Sequence, residues 1–417
     1  MADIEAESEQ AKAALELLSA SAVRERSHQL LRHGLEGRLH HFTVDPERLD
    51  GCADEVVATI RANYPGLDIP FHARWRHFEA GGIDRWSAVA ASIDWPDAAA
   101  RARAAFDLAI VSVLLDAGAG SDWRYEEGRT GETYARSEGL AVASFDMFLG
   151  GVFSSRPDDP FRVDPDALMA LDSGELARGF QVRVDNPLVG LEGRAALLNR
   201  LGAAVADNPD VFGQAGDPRP GGLFDVLAKE AKDGRVPAPR ILEALLLHFG
   251  AIWPGRIRLG GIDLGDTWRH SLVRTEDATD GLVPFHKLSQ WLAYSLIEPM
   301  QRAGLTVVVI DGLTGLPEYR NGGLFIDTEV LRLKNPTDAG EALPVESRLV
   351  VEWRALTVAL LDEIAPLVRE KLGLDAANFP LAKLLEGGTW ATGRRLARAR
   401  RADGAPPLTV ISDGTVF

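Results

Sequence analysis

Cysteine is almost absent from this chain of 417 residues. The single Cys52 can neither close an internal disulfide nor furnish a thiolate metal set, so a reducing, cytoplasmic compartment is expected. Positive charge is also scarce. With 45 Lys and Arg against 61 Asp and Glu, the formal net charge is −16, which opposes the counterion release that holds proteins on phosphate backbones. Nucleic acid is therefore not an expected partner. No apolar run approaches the roughly 18 residues of a membrane helix, and no membrane association is expected. Met1 to Glu9 is acidic and polar, unlike a secretory signal. The chain also lacks HExxH, a phosphate-binding GxxxxGK loop and an EF-hand loop. Its 9 histidines are scattered, so neither a metal nor another cofactor is expected. No fixed-period repeat is visible.

What is present is an ordinary globular composition, 46% hydrophobic and 25% charged, with ample length for a large core. Apolar residues recur at helical spacing from Glu7 to Leu31, Pro46 to Tyr64, Ala98 to Leu115, Gly190 to Val205, Leu223 to Lys232, Arg240 to Phe249, Pro284 to Met300 and Leu349 to Leu372. Strand signals are confined to Leu305–Ile310 and Pro407–Ile411. The expectation is a mainly α protein with minor β, residues 1–417 forming one large helical unit. Turn formers crowd residues 207–222, which could mark a subdomain seam.

Six segments are too irregular to be simple core. Phe71–Phe78 with Gly81–Trp86 mixes aromatic, His and Arg side chains, which suits a packing corner of stacked guanidinium and indole planes. Asp116–Glu126 follows an apolar helical run and reads equally as a helix-ending turn or a binding loop. In the second case Trp123 and Tyr125 would stack on a planar substrate and Asp116 would hold a sugar hydroxyl. In Pro284–Ser295 a helix would place Lys287, Gln290 and Tyr294 beside the packing stripe, although lysines are mostly solvated. In Leu313–Gly323, Pro317 favours the start of an element and puts Glu318 at its boundary, where a helix-terminal charge is the simplest role. Glu352 and Arg354 stand about 200° apart on an ideal helix, so one pocket can receive only one of them. The basic run Arg394–Arg401 could neutralise a phosphate or form a solvated helix face.

Several of these blocks resemble a family of unknown function encoded in the uracil-catabolism gene clusters of fungi and bacteria. They are Ser21–Arg26, His72–Trp86, Asp116–Tyr125, Arg136–Ser144 and the ending Ser412–Phe417. In that pathway urea must be cut from a ribose phosphate. More distantly, His286–Leu292, Leu313–Arg320 and Glu352–Val358 are similar, in order, to three motifs of the queuosine-salvage nucleotide N-glycosidases. That second resemblance implies a helix-hairpin-helix DNA-glycosylase-like helical fold. It also implies Glu318 where those enzymes carry a catalytic aspartate, Lys287 and Gln290 in the pocket, and Tyr319, Arg320, Glu352 and Arg354 around the substrate. Ser295 and Asn321–Gly323 depart from the pattern, and the acid is longer by one methylene. Together the resemblances imply an N-ribosyl hydrolase whose partner is a small 5-phosphorylated riboside, such as ribosylurea 5-phosphate. Glu318 would stabilise positive charge on the anomeric carbon, Lys287 would bind phosphate or a sugar hydroxyl, and Asp116, Trp123 and Tyr125 would orient the leaving urea. The alternative is a non-catalytic module that binds an intermediate or a partner enzyme. Oligomeric state is not legible.

Overall fold

A computed structural model describes residues 2–253 and 256–411; the Ser412–Phe417 ending singled out above lies outside them. The protein is mainly α with minor β. Every sheet among the described residues has two short strands, including Thr306–Val308 paired with Arg235–Pro237 and Thr409–Ile411 paired with Ala342–Pro344. The described residues form two compact units, each discontinuous in sequence: 2–72 with 256–290 and 309–411, and 73–253 with 291–308.

The first unit is built on the helix Arg348–Leu372, in which every residue from Leu349 to Leu361 is buried. A helix buried on all sides needs neighbours on all sides. Ala20–Leu35, Leu49–Asn63 and Tyr319–Asp327 supply them. Ser347 caps its start by accepting the Val350 N–H, and Gly373 ends it in the left-handed conformation at φ 71°. The helical signal from Glu7 to Leu31 resolves into Ala2–Leu17 and Ala20–Leu35, because Ser19 accepts the Ala22 N–H and starts a new helix.

In the second unit, Ala98–Leu114 is buried along most of its length after Asp97 caps it. Asp107, wholly buried on this helix, accepts hydrogen bonds from Val163 N, Gly221 N and the Arg219 guanidinium, which ties three connections to one carboxylate. The turn-rich stretch 207–222 therefore lies inside this unit and is anchored there. A Cβ at Gly221 would stand 2.2 Å from the Arg103 carbonyl oxygen, so the glycine is what permits the approach.

Candidate active site around Glu318

The segment Leu313–Pro317 is a buried loop, and a buried loop must find partners for its backbone groups. Three side chains provide them. Arg24, on the helix Ala20–Leu35, donates to the carbonyls of Leu313 (2.9 Å) and Asp311 (3.1 Å) while its Nε bonds Asp362. Gln290 accepts the Thr314 N–H at 2.9 Å through Oε1 and bonds the Thr314 hydroxyl through Nε2. Asn321 Nδ2 donates to the Leu316 carbonyl at 3.1 Å. Gly315 lies where a Cβ would meet Leu361 at 2.5 Å. The loop is therefore fixed before the chain reaches Glu318.

Glu318 is the N-cap of the helix Tyr319–Asp327. Its two carboxylate oxygens accept the N–H groups of Arg320 (2.7 Å) and Asn321, and the residue is only 8% exposed. Burial pushes this carboxyl above the usual glutamate range; the two backbone N–H groups, then the charges of Lys287 and His72, pull it back. Lys287 and His72 thus lie within electrostatic reach of Glu318. The Nδ1 of His72 donates to Glu386 Oε2 at 2.7 Å. Glu386 sits in a single π-turn, Leu385–Thr389, of the kind often found where a helix is adapted for function.

Lys287 opens the helix Lys287–Arg302, and Asp266 holds that start in place. The Asp266 carboxylate accepts the Lys287 N–H at 3.0 Å, the Trp268 indole N–H at 2.7 Å and both Arg354 Nη groups at 2.8 Å. Burial alone would raise its pKa, but the Arg354 guanidinium and these donors hold it well below the usual carboxylate range. His286, just before Lys287, is buried with φ 48°, a conformation that non-glycine residues seldom adopt. Its Nε2 donates to the Leu17 carbonyl at 2.9 Å, and burial lowers its pKa.

The other predicted residues have different surroundings. Glu352 is fully buried and accepts the N–H groups of His40, His41 and Phe42 and His270 Nε2, so it serves the packing of the Phe42–Val44 strand. Two positions from Arg354 on the helix, it stands about 200° around the axis from Arg354 by the helical period. Arg354 acts on the site through Asp266. Arg320 donates to the Gly404 carbonyl at 2.8 Å and lies 5.1 Å from the half-buried Tyr319 ring.

Asp116, Trp123 and Tyr125 belong to the second unit. Trp123 is wholly buried, donates to the Phe180 carbonyl at 2.9 Å and meets the Phe180 ring edge-on, so its indole packs the core and offers no face for stacking. The Tyr125 hydroxyl donates to Asp146 at 2.9 Å. Asp116 pairs with the fully buried Arg74 at 3.1 Å, and Arg194 donates to the carbonyls of Leu115, Ala117 and Gly118 around it. Burial with few opposing charges lowers the Arg194 pKa to about 10.

The departures from the resemblance have local causes. Ser295 accepts the Arg74 N–H and donates to the Trp291 carbonyl, both at 2.9 Å. Gly322 faces Trp353, where a Cβ would come within 2.6 Å of the ring. In the basic run, Arg394 lies over the Trp390 ring, Arg395 pairs with Glu55 and Arg401 with Asp327, while Arg398 and Arg400 are exposed. His72 and Glu386 were missed in this setting. The adjacent Gly387 and Gly388, which stand within 2.9 Å of side chains if given a Cβ, were the available sign of an unusual turn. Among the described residues there is no cluster of three or more metal-ligating side chains, and no helix is long and apolar enough to cross a membrane.

A family profile described as "Protein of unknown function (DUF1688)" matches residues 16–417. The chain is 41% identical to "Protein urg3" of Schizosaccharomyces pombe, covering 96% of this chain and 98% of the relative. It is 39% identical to "Uracil catabolism protein 4" of Lachancea kluyveri, again over 96% and 98% of the two chains.

Proposed function

We propose that this chain, which belongs to the DUF1688 family, is an N-ribosyl hydrolase of uracil catabolism that releases urea from ribosylurea 5-phosphate. The observation that carries the reading is the buried Glu318 carboxylate, fixed through both oxygens at a helix start and lowered in pKa by the charges of Lys287 and His72 against the rise that burial causes. Breaking an N-glycosidic bond places positive charge on the anomeric carbon and ring oxygen. A carboxylate held out of water is worth more against that charge than one in solvent, and it needs no reorganisation as the bond loosens. Lys287 supplies a cation for the 5-phosphate from a helix start that Asp266 and Arg354 immobilise.

A second reading keeps the site and drops the reaction: a module that binds the same intermediate. It is favoured by the engagement of both Glu318 oxygens in capping, a sufficient structural role for the residue. One experiment separates the two. Purified protein is incubated with ribosylurea 5-phosphate and a panel of nucleoside monophosphates, with urea, free base and reducing sugar measured. Urea and ribose 5-phosphate in equal amounts support the hydrolase; binding without turnover supports the module.

A further inference from the structure

A ureide nitrogen is a poor leaving group as an anion, so the proposed reaction needs a proton donor as well as a carboxylate. Glu318 does not suit that task, because it must stay ionised to oppose the cation and already accepts two backbone N–H groups. The structure holds an imidazole and a carboxylate in a turn linked to the Glu318 cap through Asn321. Glu386 fixes His72 through Nδ1 at 2.7 Å, which directs the Nε2 edge of the ring away from Glu386. The His72 backbone is tied by its N–H to the Ala382 carbonyl at 2.9 Å. The π-turn that carries Glu386 is joined to the Glu318 cap, since Thr389 donates to Asn321 Oδ1 at 2.9 Å and the Asn321 N–H is bonded to Glu318. Gly387 and Gly388 let this turn lie against Ile69 and Val56. The His72 side chain is 11% exposed and that of Glu386 17%, enough to meet a substrate and little enough to limit water.

We propose that His72, oriented by Glu386, donates the proton to the departing nitrogen. The proposal rests on the hydrolase reading above. As the bond between the anomeric carbon and nitrogen breaks, its electron pair stays on nitrogen and the His72 Nε2 proton adds there, which releases neutral urea. Water then bonds to the anomeric carbon through oxygen, and its surplus proton returns the neutral imidazole to imidazolium. One water is consumed, and no other reactant is needed. Glu386 acts through His72 and is a positioning residue: it sets the ring orientation and stabilises the imidazolium.

The test uses two substrates in the full-length protein: ribosylurea 5-phosphate, and a 4-nitrophenyl riboside 5-phosphate whose phenolate departs without a proton. His72→Asn is expected to slow the ureide by about a hundredfold to ten-thousandfold, the usual range for a positioned acid. The same variant should leave the nitrophenyl substrate within about tenfold of wild type, a difference between substrates that a general fold defect would not produce. Glu386→Gln should slow the ureide by at least about tenfold and leave the nitrophenyl substrate within about threefold of wild type, because it acts only through the proton donor. It also provides the reading if His72→Asn does not fold. Equal slowing of both substrates, or of neither, in His72→Asn overturns the proposal, as does equal slowing of both, or of neither, in Glu386→Gln. If Glu318→Gln abolishes both reactions while His72→Asn matches wild type, the acid assignment alone falls. If wild type turns over neither substrate, the hydrolase reading fails and the acid assignment with it.

Discussion

Replacing Glu318 by glutamine removes one negative charge and changes almost nothing in shape, so it asks whether the carboxylate is retained for the fold or for the reaction. The side chain caps the helix Tyr319–Asp327 through two hydrogen bonds, to Arg320 N and Asn321 N. The glutamine carbonyl can keep one of them, while its amide group faces the other N–H. Loss of a helix cap costs about 0.5–2 kcal/mol. Against that, the substitution removes a buried charge whose desolvation outweighs its favourable partners, as the raised pKa records. The two effects oppose, and the net change is expected to be within about 1 kcal/mol, a melting shift on the order of 2–4 °C or less. The effect on turnover should be far larger. Removal of a single hydrogen-bond donor from an oxyanion hole costs about 10²–10³ in rate. A full charge facing an oxocarbenium centre should cost no less than about 10³. The assay is urea release from ribosylurea 5-phosphate beside thermal unfolding in the same buffer. Turnover within about tenfold of wild type, with the fold intact, would refute the argument, since no step would then depend on the charge.

Other outcomes follow from the same contacts. Because the folded-state pKa of Glu318 is raised, this group contributes stability that is complete below its unfolded pKa and is lost as pH rises through its folded pKa. Glu318→Gln should therefore gain stability relative to wild type as pH rises from acid toward neutrality, read by chemical denaturation at several pH values; a gain that runs the other way contradicts the burial argument. Asp266→Asn leaves the Arg354 guanidinium buried without its carboxylate and should cost about 3–5 kcal/mol, measured as a lower denaturation midpoint. Gly393→Ala puts a Cβ 2.1 Å from the Arg320 carbonyl oxygen, where the helices Tyr319–Asp327 and Trp390–Arg400 meet. It should cost about 1–3 kcal/mol. Gly340→Ala has nothing within 4 Å of the new Cβ and serves as the near-neutral control.

Where the hydrophobic spacing is long and regular, the elements could be read directly. Ala98–Leu114 and Arg348–Leu372 lie within a residue of their expected ends, because a cap or a glycine marks the boundary. The nine-residue helix Tyr319–Asp327 was not legible as a helix, since two glycines interrupt its pattern; packing against Trp353 is what requires Gly322. Its starting point was legible, because Pro317 placed Glu318 at an element boundary. The Pro284–Ser295 block put Lys287 and Gln290 beside the packing stripe, but it gave no sign of their division of labour. Gln290 fixes the loop before Glu318, while Lys287 contributes charge. Trp123 and Tyr125 could be read as stacking faces because the glycines before them suit a binding loop as well as a turn, yet tertiary partners more than fifty and about twenty residues away, Phe180 and Asp146, hold them. The His72–Glu386 pair spans 314 positions and could not be read from local pattern at all.

The central claim is electrostatic: the Glu318 carboxylate opposes positive charge at the anomeric carbon. It is tested most directly by the affinities of two ribose-ring analogues carrying a 5-phosphate, an iminoribitol that is cationic at the ring and a neutral tetrahydrofuran of the same shape, for wild type and Glu318→Gln. Wild type should bind the cationic analogue at least about a hundredfold more tightly than Glu318→Gln does, about 2.7 kcal/mol, while the neutral analogue should bind both alike. Equal loss for both analogues, or no loss for either, would contradict it.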